Sequence, residues 1–233
     1  MGDASYDLVL TRPLARSHAF AAALPIEILR RVTVHYAPVL AIQQSGDIPD
    51  LTAYRGVIFS SASAVGLVGE GSGKPAFCVG AQTCAAANAV GFEAHMAGET
   101  ADALVAHLQG TRPKTPLVHL HGAHTRGDIA NRLNSAGLET HSAVIYTQNE
   151  VALPPETISI LRESSASLVP LFSPRSAQLF AGQVGKPPQA LQIIALSPAV
   201  AKVLPDDWQV PVHVADAPNA AAMVVRISQV IAG

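Results

Sequence analysis

One local pattern recurs along the chain and limits the folds that it can adopt. A short apolar run is followed by a turn that carries Ser, Thr, Gly or Arg, and then by an apolar segment with helical periodicity. The six copies begin LVLTRP, VIFSSA, FCVGAQ, LVHLHG, LFSPRS and IIALSP. Each apolar run indicates a buried strand, and a hydroxyl just before a helical segment indicates an N-cap. Strands that alternate with helices predict an α/β fold with mainly parallel sheets.

Two polar, turn-rich stretches interrupt this series and predict a division into two lobes. One runs from Ala41 to Tyr54, and the other follows HSAVIYTQ and contains Pro154 and Pro155. Of the six units, three lie between these stretches, one precedes them and two follow. Two lobes of three units therefore require both ends of the chain to share a lobe. The predicted boundaries are 1–39 plus 149–233 for the first lobe, 45–143 for the second, and about 40–44 and 144–148 for a two-stranded antiparallel connector.

The polar turns predict where a ligand binds. Ligands of open parallel sheets bind beyond the carboxyl ends of the strands, and every polar turn of the pattern follows a strand. Backbone N–H groups at helix N-termini, together with hydroxyls, form sites for anions. We therefore expect each lobe to be a small parallel sheet flanked by helices, with an anion-binding cleft between the lobes.

Composition excludes several other classes of protein. The chain has 233 residues, 49% of them hydrophobic and 14% charged, which allows a large buried core. No apolar run reaches the roughly 18 residues of a membrane span, and acidic residues stand where a secretory signal would be basic. A net charge of -2 without a Lys/Arg cluster argues against nucleic acid. These features predict a cytoplasmic protein that binds neither membranes nor nucleic acid.

Taken in order, the six units and the VIYT segment after the fourth resemble the uroporphyrinogen-III synthase family over nearly the whole chain. The resemblance implies two α/β lobes, a two-stranded connector and a monomer. It also implies an activity: hydroxymethylbilane, a linear tetrapyrrole rich in carboxylates, is cyclised to uroporphyrinogen III with loss of water and inversion of the last pyrrole ring. It implies no metal or organic cofactor, and the preceding pathway enzyme is a candidate partner.

The resemblance also assigns roles to individual residues. Tyr146 matches the residue most often implicated in the family's chemistry, and its phenol can donate a hydrogen bond to the departing hydroxyl. A buried tyrosine that satisfies its hydroxyl locally is the alternative. The positions that match cleft-facing turns, for which N-capping is the alternative, are Thr11, Ser60, Ser61, Gly80, Thr83, Gly122, Ser173 and Ser197. Three arginines beside these turns suit carboxylates, or else are solvated at the surface: Arg12, Arg126 and Arg175.

The sixth unit departs from the family pattern. Many relatives carry Gly-Pro-x-Thr there, whereas this chain reads LSPAVAKVL, with Ser197 at the glycine position and Val200 at the threonine position. The departure predicts that a hydroxyl contact with the substrate from that turn is lost or moved to Ser197.

Other patterns offer competing hypotheses. His119, His121 and His124 invite a metal-site interpretation, although no carboxylate or cysteine stands beside them at ligand spacing. GEGSGKP resembles a phosphate loop, but it lacks the full motif and precedes a strand. Two alternative functions stay open: a two-lobed module that binds a small anion, and a relative of the family without catalytic activity.

Overall fold

The computed structural model describes residues 6–125 and 127–232. It confirms the predicted α/β fold, with two mainly parallel sheets flanked by helices. Contacts between residues divide the chain into two compact units. The first consists of the residues up to Ala41 and those from Asn149 onward, and the second is Ile42–Gln148.

The strands and helices alternate along most of the chain. In order, the strands are β1 (Tyr6–Leu10), β2 (Val32–Tyr36), β3 (Leu40–Gln44), β4 (Gly56–Phe59), β5 (Pro75–Val79), β6 (Glu93–Gly98), β7 (Leu117–Gly122), β8 (Thr140–Glu150), β9 (Ser167–Leu171), β10 (Leu191–Ala195) and β11 (Val212–Val214). The helices are α1 (Leu14–Ala22), α2 (Ile26–Leu29), α3 (Ala62–Val68), α4 (Ala81–Ala89), α5 (Ala101–Thr111), α6 (Ile129–Ser135), α7 (Pro155–Glu163), α8 (Pro174–Val184), α9 (Pro198–Ala201) and α10 (Ala220–Ala232).

The first sheet has five strands in the order β11-β10-β9-β1-β2, and its neighbouring strands run parallel. Successive side chains of a strand point to opposite faces. In β9, Leu168 packs into one apolar cluster and Val169 into another on the opposite face. In β10, Ile193 and Ile194 divide between the same two clusters. Helices therefore cover both faces of this sheet, as parallel sheets require.

The second sheet has six strands in the order β3-β8-β7-β4-β5-β6. The strands from β8 to β6 pair in parallel. At the other edge, Ser45 N–H donates to the Ile145 carbonyl and Val151 N–H donates to the Val39 carbonyl. Because the residue numbers increase along one strand and decrease along the other, β3 and β8 run antiparallel.

The central strands of the second sheet are also buried on both faces. All six residues of β7 and all four of β4 are buried. Val118 and Leu120 pack with Phe59 on one face, whereas Leu117 packs with Ile58 on the other. Polar side chains of these strands must therefore find hydrogen-bond partners inside the protein.

The helices present apolar faces to the sheets. In α10, Met223, Ile227 and Ile231 are buried and lie four residues apart, which places them on one side of the helix. In α8, Phe180 is fully buried, and its ring meets Trp208 edge-to-face with 6.2 Å between the ring centroids. No helix among residues 6–125 and 127–232 is long and apolar enough to span a membrane.

All six predicted strand–helix units are present, and the described residues contain three further pairs that the pattern did not include. These are β6 with α5, β8 with α7 and β11 with α10. Both β6 and β11 lie at a sheet edge, and most of the residues in β6 are exposed or half-buried. An edge strand needs no continuous apolar run, so the pattern of apolar runs missed them.

Candidate active site

Four of the predicted site residues line one cavity of the second unit. Because β4, β7 and β8 are neighbours and run parallel, their carboxyl ends meet at one edge of the sheet. Ser60 and Ser61 follow β4, Gly122 ends β7, and Tyr146 lies in β8. Together with Val79, Ala101, His124, Thr125 and Gln148, they surround a cavity of about 300 Å³.

Tyr146 combines a buried ring with a phenol that has no protein partner among the described residues. Its residue is 5% exposed, and the ring packs in the apolar cluster that contains Phe59 and Ile145. The Tyr146 carbonyl accepts a hydrogen bond from Ala123 N–H at 2.9 Å. Within the described ranges the phenol hydroxyl forms no hydrogen bond, so it can donate to a molecule in the cavity.

Gly122 is required by the position of the tyrosine ring. Gly122 is the register partner of Tyr146, just after an irregularity in the β7–β8 pairing. A Cβ atom on Gly122 would lie 2.5 Å from Cε2 and 2.6 Å from Cζ of Tyr146. These separations are far shorter than the 3.5–4.0 Å at which carbon atoms attract one another. Glycine therefore allows the ring to lie directly on the β7 backbone.

Ser60 hydrogen-bonds to a buried histidine that the sequence did not connect with it. The Ser60 hydroxyl lies 2.9 Å from Nε2 of His119, and His119 is 2% exposed. Burial, and to a smaller extent the neighbouring His121, lowers the pKa of His119 to about 3. The ring is therefore neutral at physiological pH and is a poor general base.

The two histidines of β7 form hydrogen bonds with neighbouring residues. His119 and His121 lie on one face of the strand, with 4.5 Å between their ring centroids. Nδ1 of His121 lies 2.8 Å from the Gly122 carbonyl, and Nε2 lies 2.7 Å from the Ser142 hydroxyl. Over residues 6–125 and 127–232, no group of three or more His, Cys, Asp or Glu side chains is arranged to hold a metal ion.

The remaining predicted residues of the second unit have structural positions at helix starts. Ser61 caps α3, and its hydroxyl accepts from Ser63 N–H at 3.2 Å. Gly80 is the N-cap of α4 with φ of 78°, a conformation that favours glycine. Thr83 is buried in the first turn of α4. Neither Gly80 nor Thr83 belongs to the group that lines the cavity.

In the first unit, two predicted residues follow β1. Thr11 is 1% exposed, and its hydroxyl has no hydrogen-bond partner in the part of the chain that the structure describes. The N-cap of α1 is Pro13, so Thr11 is not its capping residue. The Arg12 guanidinium carbon lies 4.1 Å from the centroid of the Phe172 ring. Burial, with a smaller contribution from Arg16, lowers the pKa of Arg12 to about 10, which leaves it cationic at neutral pH.

The other predicted residues of the first unit lie at the starts of α8 and α9. Ser173 caps α8 and accepts from Ser176 N–H at 3.1 Å, and Arg175 is in the first turn of that helix. Ser197 is the N-cap of α9, but its side chain forms no capping hydrogen bond. Val200 is 1% exposed and packs in the apolar core.

The sequence did not predict every residue of this site, and one predicted residue is not described by the structure. Arg126 falls outside the described residues. The sequence suggests His119 as a metal ligand and gives no sign that it meets Ser60, because the pairing of β4 with β7 is not encoded in a local pattern. Thr125 and Gln148 line the cavity but were not predicted. Each lies within three residues of a predicted site residue, and this closeness along the chain is the signal that could have identified them.

Comparison with known proteins decides the family. The profile of the family described as uroporphyrinogen-III synthase HemD matches residues 29–225 of this chain. The chain belongs to the uroporphyrinogen-III synthase family. It is therefore a cyclising lyase of tetrapyrrole biosynthesis, which converts hydroxymethylbilane to uroporphyrinogen III. A search of curated proteins returned no match.

The solved structure of one relative shows that this enzyme shares the family's fold. The structure of uroporphyrinogen-III synthetase from Helicobacter pylori 26695 is similar, with a TM-score of 0.68 and 15% identity over 97% of this chain and 99% of that chain. A mutant uroporphyrinogen III synthase from Thermus thermophilus matches with a TM-score of 0.48 and 15% identity over 98% of this chain and 99% of that chain.

Gly122→Ala is expected to destabilise the enzyme, because the new Cβ atom forces the Tyr146 ring away from β7. Overpacking of this kind lowers the free energy of unfolding by about 1–3 kcal/mol. Urea unfolding followed by circular dichroism measures the change. Gly182→Ala in α8 is the matched control, since a Cβ atom there meets nothing within 4 Å. Equal stability of the two variants would contradict the close contact.

His119→Gln is expected to change how stability depends on pH. The pKa of His119 is lowered from 6.5 to about 3 in the folded enzyme, so below pH 6.5 the unfolded chain binds a proton that the folded chain does not. The wild-type free energy of unfolding should therefore fall from pH 6.5 towards pH 3 by up to about 1.4 kcal/mol per pH unit more than that of the variant.

Urea midpoints measured at several pH values test this difference, with His107→Gln on the exposed side of α5 as the control for removing a histidine. Parallel stability curves for wild type and His119→Gln would show that His119 titrates normally in the folded state.

Proposed function

We propose that Tyr146 assists the loss of the hydroxyl from hydroxymethylbilane and that the cavity around it holds the end of the substrate at which this group leaves. The observation that carries the proposal is the Tyr146 phenol, which lines the cavity beside Ser60 and Ser61 and has no hydrogen-bond partner within the described ranges. A donor placed in this way can act on a bound molecule without first breaking a protein hydrogen bond.

The reaction requires a hydrogen-bond donor at the departing oxygen and does not require a strong acid. The pyrrole nitrogen supplies electrons that break the C–O bond of the hydroxymethyl group, and the oxygen leaves as water once it is protonated. A phenol that donates a hydrogen bond to this oxygen stabilises the negative charge that develops on it. The remaining task is geometric, because the substituted carbon of the last ring must be held in position to attack.

The residues around Tyr146 suit a substrate that carries many carboxylates. Ser60 and Ser61 offer hydroxyls, and His119 behind Ser60 is uncharged. Among the described residues that line the cavity, none is Asp or Glu. We propose that Ser60, Ser61 and Gly122 contact a substrate carboxylate or pyrrole by hydrogen bonding and close approach.

In the first unit, we propose that Arg12 is the main charged contact for carboxylates. The Phe172 ring holds its guanidinium in place, and partial burial strengthens its attraction for an anion. Ser197 adds a further hydroxyl, whereas Ser173 and Arg175 lie at the N-terminus of α8, where the helix dipole favours negative charge. Thr11 keeps its predicted place in the binding site, although its own hydroxyl is buried. We propose that Gly80, Thr83 and Arg126 also contribute to substrate binding, as the resemblance to the family implies.

Three further proposals follow from membership of the family. We propose that the enzyme works as a monomer in the cytoplasm and receives its substrate from the enzyme that precedes it in the pathway. The instability of hydroxymethylbilane supports direct delivery, because the free molecule closes spontaneously to the type I isomer.

The activity is tested by supplying freshly generated hydroxymethylbilane to the purified, chelator-treated enzyme and separating the oxidised products. We expect type III uroporphyrin to dominate, because the enzyme imposes inversion of the last ring. Formation of type I alone, at the rate measured without enzyme, would favour an anion-binding module or a catalytically inactive relative. Restoration of type III product only by added metal would contradict a cofactor-free reaction.

Tyr146→Phe tests the proposed donor. The ring and its contact with Gly122 remain, so the fold should be unchanged, while loss of the hydroxyl should lower kcat about 100-fold. Tyr54→Phe is the matched control, because the Tyr54 hydroxyl bonds to His141 at an exposed position and should affect kcat by less than about twofold. A Tyr146→Phe variant with the wild-type kcat would exclude Tyr146 from this role.

A further inference from the structure

A partly buried hydrogen bond connects a residue that lines the cavity to the interior of the sheet. Ser60 lines the cavity, and its hydroxyl lies 2.9 Å from Nε2 of His119. His119 is 2% exposed and sits in the middle of β7, whose residues are all buried. The imidazole therefore does not contact the ligand itself. It orients the Ser60 hydroxyl, and Ser60 lines the cavity.

The direction of this hydrogen bond depends on which atom carries the proton. Burial lowers the pKa of His119 to about 3, so the ring is neutral and has one N–H and one bare nitrogen. If Nε2 is bare, the Ser60 hydroxyl donates to it and has no proton left for a ligand. If Nε2 carries the proton, it donates to Ser60, and the Ser60 hydroxyl proton is available to the cavity.

His121, two residues after His119 on β7, differs from it in having a backbone acceptor. Nδ1 of His121 lies 2.8 Å from the Gly122 carbonyl, which can only accept, so Nδ1 carries a proton. Nε2 of His121 lies 2.7 Å from the hydroxyl of Ser142 in β8. Ser142 does not belong to the group that lines the cavity. Among the described residues, no such carbonyl contact determines the tautomer of His119.

We propose that His119 is a positioning residue that donates its Nε2–H to Ser60 and thereby directs the Ser60 hydroxyl proton into the cavity, where it binds a substrate carboxylate. A carboxylate only accepts hydrogen bonds, so this polarity is the one that makes Ser60 useful to an anionic ligand. The inference rests on the proposed function of the cavity. In this proposal, the buried and neutral His119 makes the cavity bind an anion in preference to a ligand that donates hydrogen bonds.

Kinetics of single and double variants test the coupling. Ser60→Ala and His119→Leu should each raise KM for hydroxymethylbilane about tenfold, with kcat changed by less than about threefold, because a contact made equally in the ground and transition states is lost. The double variant should show no larger KM than either single variant, since both changes remove the same interaction.

Two further variants separate positioning from a purely structural role. His119→Gln keeps an N–H donor near the position of Nε2 and should retain KM within about threefold of wild type. Ser142→Ala removes the matched hydroxyl on His121 and should leave KM and kcat at wild-type values. KM effects of Ser60→Ala and His119→Leu that multiply in the double variant, or a wild-type KM in His119→Leu, would overturn the proposal.

Nitrogen NMR of histidine-labelled wild-type enzyme tests the polarity without any need for turnover or for a folded His119→Leu variant. We expect the His119 signal, assigned by its loss in His119→Gln, to show a protonated Nε2 and a bare Nδ1. A bare Nε2 would overturn the proposal even if the enzyme forms type III product. Failure to form type III product, with Nε2 protonated, would instead overturn the proposed function and leave the hydrogen-bond assignment intact.

Discussion

Burial of the central parallel strands on both faces is the constraint on which the other features depend. In β4, β7 and β9 every residue is buried, so the faces of these strands have no room for groups that must meet water or a ligand. Polar groups are therefore confined to two places. They lie beyond the carboxyl ends of the strands, or they lie inside the sheet, where a hydrogen-bond partner is normally required. His119 in β7 has such a partner in Ser60, whereas the buried Ser167 hydroxyl in β9 has none within the described residues.

The candidate site uses both places. Ser60 lies just beyond β4, and His119 lies inside β7 and bonds to Ser60 through Nε2. Tyr146 belongs to both categories, because it packs in the core and also lines the cavity. This arrangement supplies rigid, neutral hydrogen-bond donors. Such donors suit a reaction whose difficulty lies in holding a flexible polyanion in one geometry, and they do not require a strongly acidic or basic side chain.

The low sequence identity to a solved relative agrees with the burial of the central strands as the main constraint on this fold. The Helicobacter pylori structure has a TM-score of 0.68 with only 15% identity. A doubly covered parallel sheet requires apolar strands, amphipathic helices and turns that end the strands, and many sequences meet these requirements. The departure at Val200 fits the same account, because this side chain is buried in the core and valine satisfies that position as an apolar residue.

The sequence by itself determined the six strand–helix units, the α/β class and the hydroxyls at the ends of the strands, because apolar periodicity and turn residues are local signals. It did not reveal β6 or β11, since edge strands lack a continuous apolar run. Tertiary structure alone decided that Gly122 lies under the Tyr146 ring and that Ser60 meets His119. Residues 59 and 87 positions apart along the chain, such as Ser60 with His119 and Tyr54 with His141, become neighbours only through strand order. No local pattern encodes that order, because many strand orders bury the same apolar surface.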